Sequence, residues 1–376
     1  MSSATYQDVP AASNGYGRLL LAGLQLDGWL ASIVVAAWLV SYVAVASFAN
    51  AREMDFAGFA LAFVTLTLPV LVLAVTTVRF VRLAVYERPA HPLSALAKDV
   101  WGYFKSPARL ASGLPMVLSL SLLIEGFSRV KYNIPVIRPF DWDVTFNDLD
   151  KTIHFGTLPW EWLQPVLGFP LVTFLINVNY NLWFIVMWCL WAVLAFTLEP
   201  NATRMRFFLA FILTWAVGGG LFAVLFSSAG PCYYALIGLS PDPYTPLMDY
   251  LNRVNEIVPL WAIDTQMMLW QAHIGEQNMV AGISAMPSMH NASALLFALV
   301  GWKIGRRVGL ALSVFAVLIF IGSIHLGWHY AVDAYLGWAI TLLAWWICGP
   351  IARWNQRQPW TQSFLALLKT EPRPAA

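Results

Sequence analysis

Repeated runs of about 20 apolar residues set the first limit on what this chain can fold into, because a helix of that length matches the hydrocarbon thickness of a bilayer. One of them, "GWLASIVVAAWLVSYVAVASFA", contains no charged residue. Eight such runs lie near 28–49, 56–78, 110–127, 170–198, 207–228, 287–302, 308–327 and 330–349. With 59% hydrophobic and only 11% charged residues, a soluble globular domain is disfavoured, and no strand-period pattern points to a membrane barrel. The expected fold is all-α, a polytopic membrane helix bundle of about eight transmembrane helices.

The formal charge of +2 is less informative than where the charges fall. With the N-terminus in the cytoplasm, Arg18, the 79–109 segment, Arg204 and Arg206, the Lys303/Arg306/Arg307 turn and the C-terminal tail all lie inside. Arg52, Arg129, Lys131, Arg138, Lys151 and Arg253 then lie outside, and the inverted arrangement breaks the positive-inside bias in nearly every loop. The expectation is a multi-pass plasma (inner) membrane protein with both termini cytoplasmic. The first seventeen residues lack the basic-then-apolar order of a cleavable signal. Cys189, Cys232 and Cys348 fall on different spans or sides and imply no disulfide framework. No fixed-period repeat is visible.

The chain divides into a two-span accessory hairpin with a basic loop (1–109), a six-span core (110–350) and a tail with little to fold around (351–376). Two long outer segments, about 128–165 and 229–286, are where function is to be sought. The first mixes charges, prolines and tryptophans and predicts a short amphipathic helix from Asp141 to Phe155.

The run "GWHYAVDAYLGW" places His329 and Asp333 four residues apart, which on a helix puts them on one face within hydrogen-bond reach. A carboxylate holding one ring nitrogen leaves the other as a lone pair, as a nucleophile or general base requires. A polar pair joining two helices is the competing reading. His290, in "MPSMH", opens the sixth span, with Ser288 beside it as a cap or anion donor and free amides that suit a phosphate. Two further crossings return the chain to the same face at His329, so His290, His329 and Asp333 can meet at one outer site.

"PSMH" followed by "HYAVD" resembles the second and third signature motifs of the type 2 phosphatidic acid phosphatase superfamily. With "DVTFNDLDKTIHFGTLP" and "AGPCYY" preceding, the pattern over about 110–350 looks closest to the inositol phosphorylceramide synthase-like branch. It is also similar to the triad of sphingomyelin synthases. The resemblance implies that His329 attacks phosphorus to form a phosphohistidine, that Asp333 holds it, and that His290 protonates the leaving alkoxide, with no metal or cofactor. It implies transfer of a phospho-head-group from a phospholipid donor to a lipid alcohol acceptor, or to water in a lipid phosphate phosphatase. Nucleic acid is not an expected partner. A lipid transporter or scramblase is the alternative from another class, although the matched halves such proteins carry are not found.

Superfamily phosphatases place serine and arginine where this chain has Gly322 and Ser323, so a phosphate-binding arginine is missing. Their first motif is met literally by "KYNIPVIRP", making Lys131 and Arg138 candidate phosphate ligands, but two spans earlier than the pattern requires. Fewer cations suit a phosphodiester better than a monoester. Tyr234, in "AGPCYY", and Asp150 are further substrate-binding candidates. For Asp143 and Asp150, capping or a salt bridge competes with head-group binding.

His325, His329 and Asp333 cannot all ligate one metal from a helix, because positions eight apart are separated by roughly 12 Å along its axis. His325 is assigned to the surroundings of the site, and a metal held by His325, His329 and His290 is the minor alternative. Glu125 reads as an interfacial residue or a proton relay. His154, His273 and His91 receive no role.

Overall fold

The computed structural model describes residues 13–62, 65, 68–197, 200–276 and 281–370. Among these the secondary structure is helical, with no strand. The long helices are α1 (Ser13–Ala46), α5 (Pro107–Ile137), α8 (Pro170–Ala195), α14 (Arg306–His325) and α15 (Ala331–Gln356). A further one begins as α9 (Ala202–Thr214) and continues through a π-helical stretch, Trp215–Phe222, into the short α10 (Ala223–Leu225).

Among the described residues, six helices are long and apolar enough to cross a membrane, two fewer than expected. The sixth expected run forms α13 (Met289–Ile304), whose 16 residues fall short of a typical span. The second, 56–78, forms α2 (Phe56–Ala62) and α3 (Leu68–Arg82), and its middle lies partly outside the described residues.

Contacts nevertheless show where the chain passes between the two ends of the bundle. Arg52 donates its amide to Asn133 near the end of α5, whereas Ala108 at the start of α5 packs beside Leu19 of α1. The chain therefore changes ends of the bundle between Arg52 and Ala108. Beside this change of ends stand α1, α5, α8, α9 with α10, α13, α14 and α15 among the described residues. The connections at one end hold α6 (Asp143–Ile153), α7 (Pro159–Leu167), α11 (Thr245–Ile257) and α12 (Trp261–His273). The predicted amphipathic helix from Asp141 to Phe155 is α6.

Packing crosses residue 109. Helix α1 lies along α5 and against α16 (Pro359–Thr370), while α3 packs on α8 and α4 (Pro92–Lys105). Within the last segment, α16 packs back on the bundle. Its Phe364 is buried with Leu19, Leu26 and Ala111, and Thr361 donates to the Asn355 carbonyl.

Arg204, expected in an inner turn, is buried and ties four elements together. It makes a two-pronged pair with Asp27 at 2.8 and 2.7 Å and donates to the carbonyls of Leu194 and Ser112. A guanidinium out of water needs every one of these acceptors. Glu125 is buried: it pairs with Arg129 one turn on and accepts from the Trp38 indole. Replacing Asp27 with alanine strands a buried cation, and unfolding in detergent is expected to show a loss of about 3–5 kcal/mol. The double replacement Asp27→Leu with Arg204→Met is expected to recover most of it.

Candidate functional site

The end of the bundle that carries α6 gathers the predicted residues. The 31-residue α5 would span about 46 Å if straight, well beyond the roughly 30 Å of a hydrocarbon core. Its last turns carry Lys131, which the sequence placed in a loop.

Helix α15 begins only at Ala331, so His329 and Asp333 do not meet by stacking along a helix face. His329 sits in the turn before α15, its amide bonded to the Ser323 carbonyl, and Gly327 takes a positive φ of 72° to make that turn. Asp333 occupies the third position of the new helix and accepts the Tyr330 amide at 3.1 Å, as in a capping box. The same oxygen, Oδ2, lies 3.1 Å from His329 Nδ1. With that carboxylate accepting, Nδ1 carries the proton and Nε2 the lone pair. Burial pushes the His329 imidazole down to about 3, and the Lys131 ammonium pushes the same way.

His290 lies on the first turn of α13, stacked on Tyr180 at 4.8 Å and against Trp183 at 4.2 Å between ring centroids. Its ring centre is 6.4 Å from that of His329, close enough for both to touch one group lying between them. Ser288 caps α13, accepting from the Asn291 amide and side chain. The amides of Met289 and His290 take no acceptor among the described residues, so the helix end keeps donors for an anion. Lys131 is within electrostatic reach of both imidazoles and has no paired carboxylate among the described residues.

The other candidates fall elsewhere. Arg138 turns to Asp141 at 3.0 Å and lies over Trp142. Tyr234 packs on Tyr244, which meets Tyr330, so it stands near the α6 carboxylates rather than the imidazoles. His325 bonds through Nε2 to Thr173, at 2.9 Å. Ser323 accepts from Asn291 of α13 and donates to Phe320, so a helix-to-helix tie stands where the resemblance would put an arginine.

Asp150 binds backbone, not an exposed head-group. Its two oxygens accept the Ala331 and Val332 amides at 2.8 and 3.0 Å and so cap α15. Asp143 does the same for the "AGPCYY" loop, accepting from Ala229, Gly230 and the Tyr330 hydroxyl. Gly230 has a φ of 102°, and a Cβ there would lie 2.8 Å from the Trp328 carbonyl oxygen, so the loop presses directly on the turn that holds His329. Residues that the sequence reading missed include Tyr180 and Trp183. The signal available was the polar cluster "NVNYN" inside an otherwise apolar span.

Burial raises the Asp150 carboxyl to about 6; the Ala331 and Val332 amides pull it back, and the Asp333 charge adds to the rise. An unfolded carboxyl titrates near 3.9, so the folded state holds this proton more tightly. The resulting stability is complete below about pH 4 and is lost as pH rises through about 6. Wild-type thermal midpoints are therefore expected to fall relative to those of Asp150→Asn between pH 4 and 7. A constant difference between the two proteins would contradict this titration.

A family model described as the PAP2 superfamily matches residues 145–347. No curated protein and no solved structure matches the chain.

Proposed function

The chain belongs to the PAP2 superfamily, and from that premise, which itself suggests a lipid phosphatase or phosphotransferase type of function, we propose that it moves a phospho-head-group between lipids through a phosphohistidine. The observation that carries this reading is the approach of His290 to His329 within electrostatic reach of Lys131, which has no carboxylate partner among the described residues, with Asp333 behind the second imidazole.

His329 Nε2 attacks the phosphorus of a phospholipid donor, and the bond from phosphorus to the departing lipid alkoxide breaks. His290, protonated, gives its proton to that alkoxide. The bound phosphate's negative charge favours the imidazolium that this step requires. Asp333 fixes the tautomer and supports the positive charge on the phosphorylated ring. In the second half, His290 takes the proton of an acceptor hydroxyl as its oxygen attacks phosphorus, and the bond from nitrogen to phosphorus breaks. Lys131 and the first amides of α13 stabilise the charge on the phosphoryl oxygens throughout.

A single cation suits a diester with one negative charge, which favours a lipid alcohol as acceptor, as in the inositol phosphorylceramide synthase-like branch. Water as acceptor makes the same chemistry a phosphatase. The end of the bundle opposite the site carries Arg109, Lys303, Arg306, Arg307 and Arg353. The positive-inside rule favours that end in the cytoplasm, which supports a site at the outer leaflet.

Mass spectrometry of lipids after incubating purified protein with phospholipid donors and either ceramide or diacylglycerol tests the reading. His329→Ala is expected to abolish turnover, His290→Ala to slow it by about 10²–10⁴-fold, and EDTA to leave it unchanged. Turnover preserved in His329→Ala would remove the assignment.

A further inference from the structure

Only Lys131 among the described cations reaches the two imidazoles electrostatically, yet a transferring phosphoryl group spreads its charge over three oxygens. Tyr180 supplies a second kind of partner. It lies midway along α8, is 5% exposed, and stacks its ring on His290 with the planes 17° apart. Its hydroxyl is the one buried tyrosine hydroxyl without a hydrogen-bond partner among the described residues. Other buried tyrosines nearby are satisfied: Tyr330 by Asp143, Tyr244 by Asn147 and Tyr233 by the Gln266 carbonyl.

The direction of that hydroxyl follows from its neighbours. Tyr180 interacts electrostatically with Asp333 and Cys232. Asp333 holds His329, and the Cys232 amide donates to the Gly327 carbonyl two residues before it. The phenol therefore rests on one imidazole, with two groups that border the other within electrostatic range. Space for the ring comes from α14, where Gly322 has no side chain: a Cβ there would lie 3.2 Å from Tyr180 Cδ2 and 3.2 Å from Ile176. A buried donor left unpaired is costly, and one aimed at a reaction centre has a use there.

We propose that Tyr180 is a catalytic residue whose hydroxyl donates to a non-bridging oxygen of the phosphoryl group as it passes between the lipid oxygen and His329. The assignment rests on the phosphohistidine reading above. A neutral donor so placed strengthens as charge builds in the transition state, and it adds no second positive charge beside the imidazolium that His290 must become.

Tyr180→Phe keeps the ring on His290 and deletes only the hydroxyl. Expected results are a fall in kcat of about 100-fold, a donor KM changed by no more than about threefold, and a thermal midpoint no lower than wild type. Orthovanadate, which adopts the five-coordinate shape of the phosphoryl in transit, is expected to raise the thermal midpoint of wild type but to raise that of Tyr180→Phe much less. Wild-type kcat and vanadate response in Tyr180→Phe, with His329→Ala inactive, overturns the role of Tyr180 and leaves the phosphohistidine reading standing. Full turnover in His329→Ala overturns both. Loss of activity in Tyr180→Phe in step with a lowered thermal midpoint makes Tyr180 a packing residue and overturns the proposal.

Discussion

The backbone amides at the start of α15 and in the "AGPCYY" loop are out of reach of water, and each must find an acceptor. Two carboxylates on one short helix meet that demand. Asp150 accepts from Ala331 and Val332, and Asp143, seven residues earlier on α6, accepts from Ala229 and Gly230. One helix thereby sets the position of two loops that come from opposite parts of the chain. The turn holding His329 is pressed between them, anchored on one side by Asp333 and on the other by the close approach of Gly230 to Trp328. The position of the turn that carries His329 thus depends on α6.

Such an arrangement gathers three carboxylates beside the proposed phosphoryl site. Asp143, Asp150 and Asp333 are all nearly inaccessible. Two of them are spent mainly on backbone amides, which disperses their charge, and the third is turned to His329. The cation that could have neutralised them, Arg138, lies instead on Asp141 at the surface. Lys131 meets the Phe127 ring and has no carboxylate partner among the described residues. At the opposite end of the bundle Arg204 is fully consumed by Asp27 and by carbonyls, so the two buried arginine clusters serve architecture rather than chemistry.

Much of this was legible in the sequence. Apolar run lengths gave the helical class, and the pattern from "PSMH" to "HYAVD" picked out the three groups that the fold brings together. What sequence spacing misread was the cause of the contact between His329 and Asp333. Four residues fit a helix face, but they fit a turn followed by a capping position equally well, and only the backbone of Tyr330 distinguishes them. The end of α5 was also missed, because charged residues after 127 resemble a loop until Arg129 is seen to pair with Glu125 within the helix. Lys131 and Arg138, adjacent in the sequence pattern, part because one lies on that helix and the other is its C-cap. Phe364 was beyond reach for a different reason: an amphipathic tail declares an apolar face but not the surface it will cover.

That last contact has a topological consequence. Phe364 and Leu19 share one cluster, so the beginning of α1 and the whole of α16 belong to the same rim of the bundle. The number of passes between them must be even, whatever rule is used to recognise a span. The start of the first long helix and the last described helix thus brace each other at one rim, so a change that loosens either one is felt by both.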